Sequence, residues 1–421
     1  MPVEIVHPLT PDLLDPMYSA ARRAYLNTES QRSAPWRRRA VDLDLAWVAR
    51  DHDRVVGTLR TIEDTLSVPS RAGTPSPRVD ADLLTTVSVS PTHRRQGLLR
   101  RMLGESLTQA QERGRAVSVL VAAEYEIYGR FGYAPAVAET TFQVAKHRPG
   151  ARITTEPVGS MREIDEYEAS DLGPPVYEAE VDARPALIGR DELWWDRELR
   201  RWGPDREVVA SADEKPQRFA VHSDATGRVD GYVSWSVKKM DEGRELGTLE
   251  AHDLFVADPV AYREVWRFLL GIDLIDHVHV EHRPVDDPLP WLLADARTAG
   301  ASATGDAMWL RILDVPAALG ARAYGMDDEL VLDVVDEAVG NWAGGRFRLT
   351  AGPDGAQCVP APAATADIRL PQTSLASLYL GGVRAAVLAR TGGYDEETPG
   401  AGARLDRLFA TPLAPWRATD F

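Results

Sequence analysis

The chain has 421 residues, of which 44% are hydrophobic and 27% are charged. This is longer than a chain that folds around one hydrophobic core, so the length predicts roughly two to four domains. Its formal net charge of -16 argues against DNA or RNA as the main partner and suits a cationic small molecule or a basic peptide, although solubility alone also explains it. A single cysteine, Cys358, excludes an intramolecular disulfide and a multi-cysteine zinc site, and without a secretory leader or an apolar run of ~20 residues we expect a cytoplasmic protein.

The first predicted region covers residues 1–150. Its elements in chain order are a helix at 11–25, strands at 45–50 and 54–61, a Pro/Ser/Gly-rich loop at 67–78, a strand at 83–89, a helix at 98–113 and a strand at 117–122. Gly114 ends the second helix, and the continuous apolar run of the last strand indicates that both its faces are covered. The order strand, turn, helix, strand is a βαβ unit.

The second and third predicted regions cover residues 151–305 and 306–421. The second contains a Trp-rich helix at 191–202, strands at 218–222, 231–239 and 247–256, a helix at 262–270 and a strand at 277–281. The third contains a strand at 310–313, a helix at 315–324, acid-rich strands near Leu330 and Phe347, and helices at 375–380 and 383–389. The second region therefore again favours a sheet with a crossover helix.

The clearest chemistry lies in the segment Thr86-Val87-Ser88-Val89-Ser90-Pro91-Thr92-His93-Arg94-Arg95-Gln96-Gly97-Leu98-Leu99. A strand ends at a proline, and a basic turn then opens a helix whose unpaired amides and dipole attract anions. Gly97 lets the backbone approach a pyrophosphate, and Arg94 and Arg95 add positive charge beside it. The edge amides of Val87 and Val89 can pair with the amide arm of a pantetheine. An ordinary strand–turn–helix is the alternative for this stretch alone.

This stretch resembles motif A of the GNAT acetyltransferases, in which an Arg/Gln-x-x-Gly-x-Gly/Ala turn binds the pyrophosphate of coenzyme A. Here the turn reads Arg94-Arg95-Gln96-Gly97-Leu98-Leu99, and Leu99 replaces the final small residue. The glycines of the Rossmann and Walker motifs are missing.

A second segment reads Glu124-Tyr125-Glu126-Ile127-Tyr128-Gly129-Arg130-Phe131-Gly132-Tyr133. GNAT enzymes commonly carry a similar Tyr-x-x-x-Gly-Phe-like sequence here, with the tyrosine facing the thioester sulfur. The hydroxyl of Tyr128 can donate a proton to a departing thiolate. A half-buried aromatic of a short helix is the alternative reading.

These segments, the three-region layout and the C-terminus resemble the Eis family over essentially the whole chain. The resemblance implies an α/β (α+β) fold: a GNAT domain at 1–150, a degenerate second GNAT domain at 151–305 and a sterol-carrier-protein-like α+β domain at 306–421. It also implies acetyl-CoA as co-substrate and a homohexamer, while the residues themselves lead us to expect no metal.

The same resemblance implies the site residues. Acetyl-CoA would contact Val87, Ser88, Val89, Arg94, Arg95, Gln96, Gly97, Leu98, Leu99, Arg100, Ala123 and Glu124. Ala123 departs from the serine expected there, a change that a backbone contact would survive. Tyr128 would be the general acid and the terminal carboxylate of Phe421 the general base, because an acceptor ammonium with a pKa near ~10 must lose a proton before it attacks. A disordered tail is the alternative for Phe421.

The second region has a motif-A-like shape at 254–270, but Asp258 stands where a phosphate would bind and the Arg-Arg-x-Gly turn is missing. We therefore expect this half to bind no CoA and to complete the substrate cleft. The third region would bind lipid in an apolar tunnel or, as we favour, position the tail and support assembly.

Three further features have open readings. His277, His279 and Glu281 alternate along a predicted strand and would share one face, which fits a metal site or, as favoured here, an exposed strand face. Trp36, before a basic run, would cover the substrate or pack in the fold. The acidic loop at 395–398 would be solvated or would rim a cleft for cations.

The sequence thus predicts direct acetyl transfer from acetyl-CoA to a primary amine in a ternary complex, with the Val89 N–H polarising the thioester. The acceptors implied by the resemblance are aminoglycosides, polyamines and lysine side chains. A non-catalytic lipid-binding protein and a GNAT enzyme dedicated to one endogenous amine are the alternatives.

Overall fold

The computed structural model describes residues 3–26, 33–201, 216–238, 246–352 and 355–421. Trp202 and Lys239, which end a predicted helix and a predicted strand, lie outside these ranges. Within them the chain forms two sheets with helices on their faces.

The larger sheet contains twelve strands of the described chain. They are β1 (Glu4–Val6), β2 (Ala46–Asp51), β3 (Arg54–Ser67), β4 (Arg78–Val89), β5 (Val117–Leu120), β6 (Ala134–Ala145), β7 (Ser160–Ile164), β8 (Arg218–Ser223), β9 (Val229–Lys238), β10 (Gly247–Val256), β11 (Ile275–Pro284) and β12 (Ala299–Ile312). Their order in the sheet is β1-β2-β3-β4-β5-β12-β6-β11-β10-β9-β8-β7.

The smaller sheet has the order β15-β14-β13-β16-β17. Its strands are β13 (Asp328–Val335), β14 (Gly345–Gly352), β15 (Gly355–Pro360), β16 (Ile368–Pro371) and β17 (Asp395–Glu396). A single hydrophobic cluster joins Leu83 and Val117 of the large sheet to Leu330 and Leu375 of the last part of the chain. The C-terminal part therefore packs directly on the first half of the large sheet.

The α-helices within the described ranges number twelve. They are α1 (Leu14–Ala24), α2 (Ala34–Ala40), α3 (Leu98–Glu112), α4 (Tyr125–Tyr128), α5 (Glu166–Ala183), α6 (Glu192–Glu198), α7 (Pro259–Gly271), α8 (Leu289–Leu292), α9 (Val315–Ala321), α10 (Gln372–Tyr379), α11 (Ala385–Ala389) and α12 (Ala401–Phe409). None of the helices described here combines the length and the apolar character needed to cross a bilayer.

Two parallel βαβ units organise the large sheet. The unit β4–α3–β5 lies in the first half, and β10–α7–β11 lies in the second half. Both confirm the crossover helices that the sequence predicts. The units are joined because β12 pairs with β5 while β6 pairs with β11, so each half contributes a central strand beside the other half's βαβ unit.

The structure extends β3 six residues beyond the predicted strand end at residue 61. Two acidic residues argue against a strand there, but both have partners from distant segments. Glu63 pairs with Arg113 and Arg115, and the carboxylate of Asp64 accepts a hydrogen bond from the Trp194 indole at 3.0 Å. Tertiary contacts therefore keep polar side chains within a central strand.

Sequence reasoning missed α5, because Pro174 and Pro175 lie inside it. Asp165 and Glu168 form a capping box at its start, which satisfies amides of the first turn. Gly173 lies so close to Trp195 that an added Cβ would stand 2.9 Å from the indole ring. Packing and capping together outweigh the cost of the prolines.

Candidate active site

The C-terminal end of β4 separates from β5. The two strands pair in parallel up to Leu84 and Leu120, and β4 then continues to Val89 without a partner on that side. We call residues 85–89 the open end of β4. A strand edge without a partner presents unpaired N–H and C=O groups, so it can bind an extended amide chain.

A β-bulge shapes the open end. Thr58 of β3 faces Ser88 while Arg60 faces Thr85, so β4 contains one extra residue between these pairs. Thr86 there adopts a left-handed conformation with φ of 55°. The Thr58 hydroxyl stabilises the bulge, because it donates to the Thr86 carbonyl at 2.7 Å and lies 2.7 Å from the Ser88 hydroxyl.

The backbone directions at the open end follow from one hydrogen bond. The Ser90 N–H donates to the Val56 carbonyl of β3 at 2.7 Å. Successive residues of a strand point their amides to opposite edges, so the Val89 N–H points away from β3, toward the open side. This amide is therefore placed to donate to a ligand carbonyl.

The basic turn follows the open end. Arg94, Arg95 and Gln96 are exposed, and Gly97 has φ of 76° at the N-cap of α3. No side chain caps this helix, and its first turn has no acidic residue. Because the first amides of a helix need an acceptor, this end fits a pyrophosphate, with the exposed Arg100 in its first turn.

The two leucines after Gly97 have a different role. Leu98 is 3% exposed and packs in the cluster formed by α3 and the sheet, and Leu99 packs at its border. A large residue at position 99 is therefore accommodated by the core. This explains how the turn tolerates its departure from the motif's small residue.

The second half shows the opposite arrangement at the corresponding helix. Asp258 is the N-cap of α7, and its carboxylate accepts hydrogen bonds from the amides of Val260 and Ala261 at 2.7 and 3.0 Å. The protein's own carboxylate thus occupies the anion position of this helix.

The C-terminal tail occupies the gap between β10 and β11. These strands pair up to Ala251 and Val280. Beyond that point the Trp416 indole donates to the His282 carbonyl at 2.5 Å, and its ring lies 5.9 Å from Phe255. In the second half, the place equivalent to the open end of β4 is therefore filled by the chain itself.

Tyr128 ends α4, just after β5, and is 6% exposed. Burial raises the pKa of its hydroxyl well above the ordinary value, and Tyr25 and Glu124 act in the same direction. The hydroxyl therefore stays protonated at neutral pH. Within the described part of the chain it has no hydrogen-bond partner, so it is available to a ligand.

Sequence reasoning missed Tyr25. Its hydroxyl donates to the Val87 carbonyl at 2.7 Å, across the open end of β4. Burial of the hydroxyl raises the pKa of Tyr25, and the bond to Val87 partly offsets this. Nothing in the sequence places the end of α1 beside Val87, since 62 residues separate them.

A buried polar chain lies beneath the site. The Ser118 hydroxyl donates to Asp82 at 2.7 Å and lies 2.7 Å from the Tyr133 hydroxyl, whose ring is 6.2 Å from the Tyr128 ring. Burial raises the pKa of the Asp82 carboxyl to about 6.

Ala123 and Glu124 are exposed in the turn between β5 and α4. Because β4 and β5 are parallel neighbours, this turn lies at the same end of the sheet as Val87, Val89 and the start of α3. The structure therefore brings the residues predicted for acetyl-CoA to one sheet edge, together with Tyr128.

Helix α6 connects Trp36 to the end of the chain. The Trp36 indole donates to the Leu193 carbonyl at 2.8 Å, and Arg197 donates to the Asp420 carbonyl at 2.5 Å. Phe421 is partly buried against the cluster that contains Trp194. No described residue forms an ion pair with its terminal carboxylate, whereas the Asp420 side chain pairs with Arg417.

A polar cavity of about 550 Å³ lies where the tail meets the second half. Its lining includes Arg190, Glu250, Asp253, His279, Thr419 and Asp420. Arg190 is fully engaged there, because it binds Asp253 with two hydrogen bonds at 2.8 and 3.0 Å. The cavity therefore has a mixed lining next to the terminal residues, in which five carboxylates outnumber three arginines.

His279 and Glu281 on β11 are 3.1 Å apart, and His277 lies 3.0 Å from Asp276 instead. Over the ranges that the structure describes, no group of three or more His, Cys, Asp and Glu side chains has the geometry of a metal site.

Comparisons with known proteins agree with this architecture. Models of an acetyltransferase (GNAT) domain match residues 6–136 and 186–312, and a model of a sterol carrier protein domain matches residues 315–418. These matches confirm the predicted α/β fold with tandem GNAT folds and a sterol-carrier-protein-like C-terminal part. The GNAT fold implies acetyl-CoA as co-substrate, in agreement with the uncapped helix, the exposed arginines and the open strand end.

Relatives extend over almost the whole chain. An uncharacterized N-acetyltransferase of Streptomyces griseus is 38% identical over 383 residues, 89% of each chain. N-acetyltransferase Eis of Mycobacterium tuberculosis is 32% identical over 418 residues, 96% of each chain. The crystal structure of Eis1 from Mycobacterium abscessus has a TM-score of 0.83 at 27% identity over both full chains. A GCN5-related N-acetyltransferase from Anabaena variabilis, 19% identical with a TM-score of 0.84, shares the fold. The chain is an N-acetyltransferase that belongs to the Eis family of the GNAT superfamily.

Proposed function

We propose that the protein transfers the acetyl group of acetyl-CoA directly to a primary amine of a cationic acceptor, with both substrates bound together. The observation that supports this most is the open end of β4 beside the protonated Tyr128. A strand edge that binds an acyl chain and a donor that can serve its sulfur are the two groups that direct transfer needs.

We further propose how the acyl donor is held. The open end would pair with the amide arm through Val87 and Val89, and the Val89 N–H would donate to the thioester carbonyl as negative charge develops there. The pyrophosphate would lie against the first amides of α3 with Arg94 and Arg95 beside it. Acetyl-CoA supplies the activated acetyl group when bound.

The proton transfers would use two groups at opposite sides of the reacting carbon. Tyr128 would donate its proton to the departing sulfur, which the raised pKa permits because the hydroxyl is still protonated at neutral pH. The terminal carboxylate of Phe421 would accept the proton of the acceptor ammonium. Its freedom from ion pairs within the described chain supports this role, since a paired carboxylate is a weaker base.

The acceptor class is the finer part of the proposal. A net charge of -16 attracts cations, and the cavity beside Thr419 and Asp420 is lined by five carboxylates and three arginines. We therefore propose aminoglycosides, polyamines or lysine side chains as acceptors. An enzyme for a single endogenous amine is the second candidate, which Arg60 of β3 favours because it is buried and, within the described chain, unpaired.

We also propose a division of roles along the chain. Residues 1–150 would carry catalysis, 151–305 would complete the acceptor cleft without binding CoA, and 306–421 would position the tail. The capped α7 and the filled gap between β10 and β11 support the second role. In the third part Leu330, Leu349 and Leu375 are completely buried, which supports a structural role rather than lipid carriage.

The test is CoA thiol release from acetyl-CoA with an aminoglycoside, spermidine and a lysine peptide. It compares the wild type with Tyr128→Phe and with a chain that lacks Phe421. We expect turnover on multi-amine acceptors and a large loss in both variants. Failure of every amine, together with no acetyl-CoA binding by calorimetry, would overturn the proposal and favour the non-catalytic alternative.

The expected hexamer is tested separately. Light scattering of the full chain would give six times the 46.3 kDa of one chain. A mass equal to that of a single chain would refute the assembly without touching the chemistry.

A further inference from the structure

Arg60 of β3 is a buried arginine without a partner. It is only 7% exposed, and its Nε atom is buried without a hydrogen bond. Across the described residues its guanidinium forms neither a hydrogen bond nor an ion pair. Its two Nη atoms are not fully buried, so the small exposed fraction of Arg60 lies at the tip of the side chain.

Other buried arginines of this protein are engaged. Arg190 binds Asp253 at 2.8 Å, Arg283 binds Asp287 at 2.8 Å, and Arg322 donates to the Tyr379 carbonyl at 2.5 Å. A buried charge without a partner is strongly unfavourable, so proteins rarely retain one for packing alone. Arg60 therefore has the features of a residue that binds an anionic ligand.

The position of Arg60 on β3 places it at the acceptor side of the site. Side chains alternate along a strand, so Thr58, Arg60, Ile62 and Asp64 share one face of β3. Thr58 lies at the acyl end, since it bonds to the bulge of β4. Asp64 lies at the other end and binds Trp194 of α6. Arg60 is thus between the open end of β4 and α6.

The same face is bordered by the elements that close the cleft. Helix α1 packs on β3 and β4, and α2 packs on α6. Arg197 of α6 holds the tail at Asp420, next to the terminal carboxylate. Among the described residues no hydrogen bond or ion pair joins Asp64 to Arg60, and the Asp64 carboxylate instead accepts from the Thr65 amide and the Trp194 indole.

We propose that Arg60 binds a carboxylate of the acceptor, so that the acceptor is an amine of the amino-acid class. This proposal rests on the proposed acetyl transfer and favours a different acceptor from the aminoglycosides and polyamines considered above, because those compounds carry no carboxylate. The planar fork of a guanidinium matches a carboxylate with two parallel hydrogen bonds. The ammonium end would face the acidic tail region and the thioester, and the carboxylate end would face Arg60.

The same chemistry could come from the chain's own terminal carboxylate on Phe421. The structure favours the acceptor, because no ion pair joins Arg60 to that carboxylate within the described chain. The two sources predict different results, since a bound tail would matter equally for every acceptor.

The experiment compares kcat/KM for ω-amino acids, from β-alanine to 6-aminohexanoate, with alkylamines of the same chain length. In the wild type we expect a preference of about 10- to 100-fold for the carboxylate-bearing acceptor at an optimal length, the size of a charged hydrogen bond. Arg60→Leu should abolish the preference, because kcat/KM for the amino acids falls to the value for alkylamines of the same length, and Arg60→Lys should retain part of the preference. Arg390→Leu, at an exposed position of the C-terminal part, is the matched control and should change nothing.

Three results would overturn the proposal. The first is an unchanged preference in Arg60→Leu. The second is an equal loss of kcat/KM on both acceptor series, with no further loss when Phe421 is also removed. That result would show that Arg60 binds the terminal carboxylate. The third is a lower melting temperature in Arg60→Leu, because loss of an unpaired buried charge should leave stability equal or higher.

Failure of the underlying function is distinguishable. If no amine is acetylated, titration calorimetry can still detect the carboxylate site by comparing the binding of 6-aminohexanoate to the protein with that of hexylamine. Binding of the amino acid that is lost in Arg60→Leu would then support the site without the reaction. Equal binding of both compounds by the wild type would overturn it.

Discussion

Replacing Tyr128 by phenylalanine removes one hydroxyl oxygen and leaves the aromatic ring in place. The ring is 6% exposed and packs edge-on to Tyr133 with centroids 6.2 Å apart. Within the described chain the lost hydroxyl has no hydrogen bond, so the variant leaves no unsatisfied partner. We therefore expect a melting temperature close to that of the wild type and unchanged binding of acetyl-CoA.

The expected loss is in kcat. A positioned general acid contributes about 10²- to 10⁴-fold, which corresponds to roughly 3 to 5 kcal/mol of transition-state stabilisation. The raised pKa of Tyr128 also means that its own ionisation should not limit the rate below about pH 10. An alkaline decline of kcat between pH 8 and 10 would have to come from another group.

The assay is steady-state thiol release at saturating acetyl-CoA, with the affinity for acetyl-CoA measured by calorimetry. Tyr133→Phe is the matched control, because it deletes a buried hydroxyl that lies 2.7 Å from Ser118. The Tyr133→Phe control should lower the free energy of unfolding by about 1 to 3 kcal/mol, and its kcat should fall much less than that of Tyr128→Phe. The role of Tyr128 as general acid would be refuted if Tyr128→Phe kept kcat within about twofold, or if Tyr133→Phe lost as much kcat as Tyr128→Phe.

Three further perturbations test other parts of the site. Gly97→Ala adds a Cβ with no atom within 4 Å, so only the φ of 76° opposes the change, at a cost of about 1 to 2 kcal/mol. We expect a raised KM for acetyl-CoA and an unchanged KM for the acceptor, and equal changes in both KM values would contradict the role of Gly97 in acetyl-CoA binding. Deletion of Phe421 should lower kcat by about 10²-fold or more because the new carboxylate is displaced by one residue, whereas Phe421→Ala keeps the carboxylate and should be clearly more active in the same assay. Burial raises the pKa of Asp82 to about 6 from 3.8, so the stability contributed by the protonated carboxyl is complete below pH 4 and is lost as pH rises through 6, about 3 kcal/mol in all. In urea titrations Asp82→Asn should therefore make the free energy of unfolding less dependent on pH between 4 and 6. A pH dependence parallel to that of the wild type would contradict this.

Local features of the site could be read from the chain. The basic turn, Gly97 and the helix after it are contiguous, and their chemistry depends on backbone geometry that neighbouring residues decide. The strand–helix–strand order likewise predicts the parallel pairing of β4 with β5, since parallel strands need a crossover. Asp258 is also a local signal, because a carboxylate at an N-cap bonds to amides two and three residues away.

Other elements could not be read in this way. Pro174 and Pro175 argue against α5, and only packing against Trp195 and capping by Asp165 explain the helix. The end of β3 contains Glu63 and Asp64, whose partners lie far along the chain. The local pattern is the same whether or not such partners exist.

The sequence by itself determined the family, the anion-binding turn and the identity of the proposed acid, because these depend on short contiguous motifs. Only the tertiary structure decided that the halves exchange β6 and β12, that Trp416 fills the second gap, and that Tyr25 bonds to Val87. It also decided that Arg60 is buried without a partner. These facts depend on contacts between segments that are distant along the chain, and a residue's type does not reveal which groups surround it after folding.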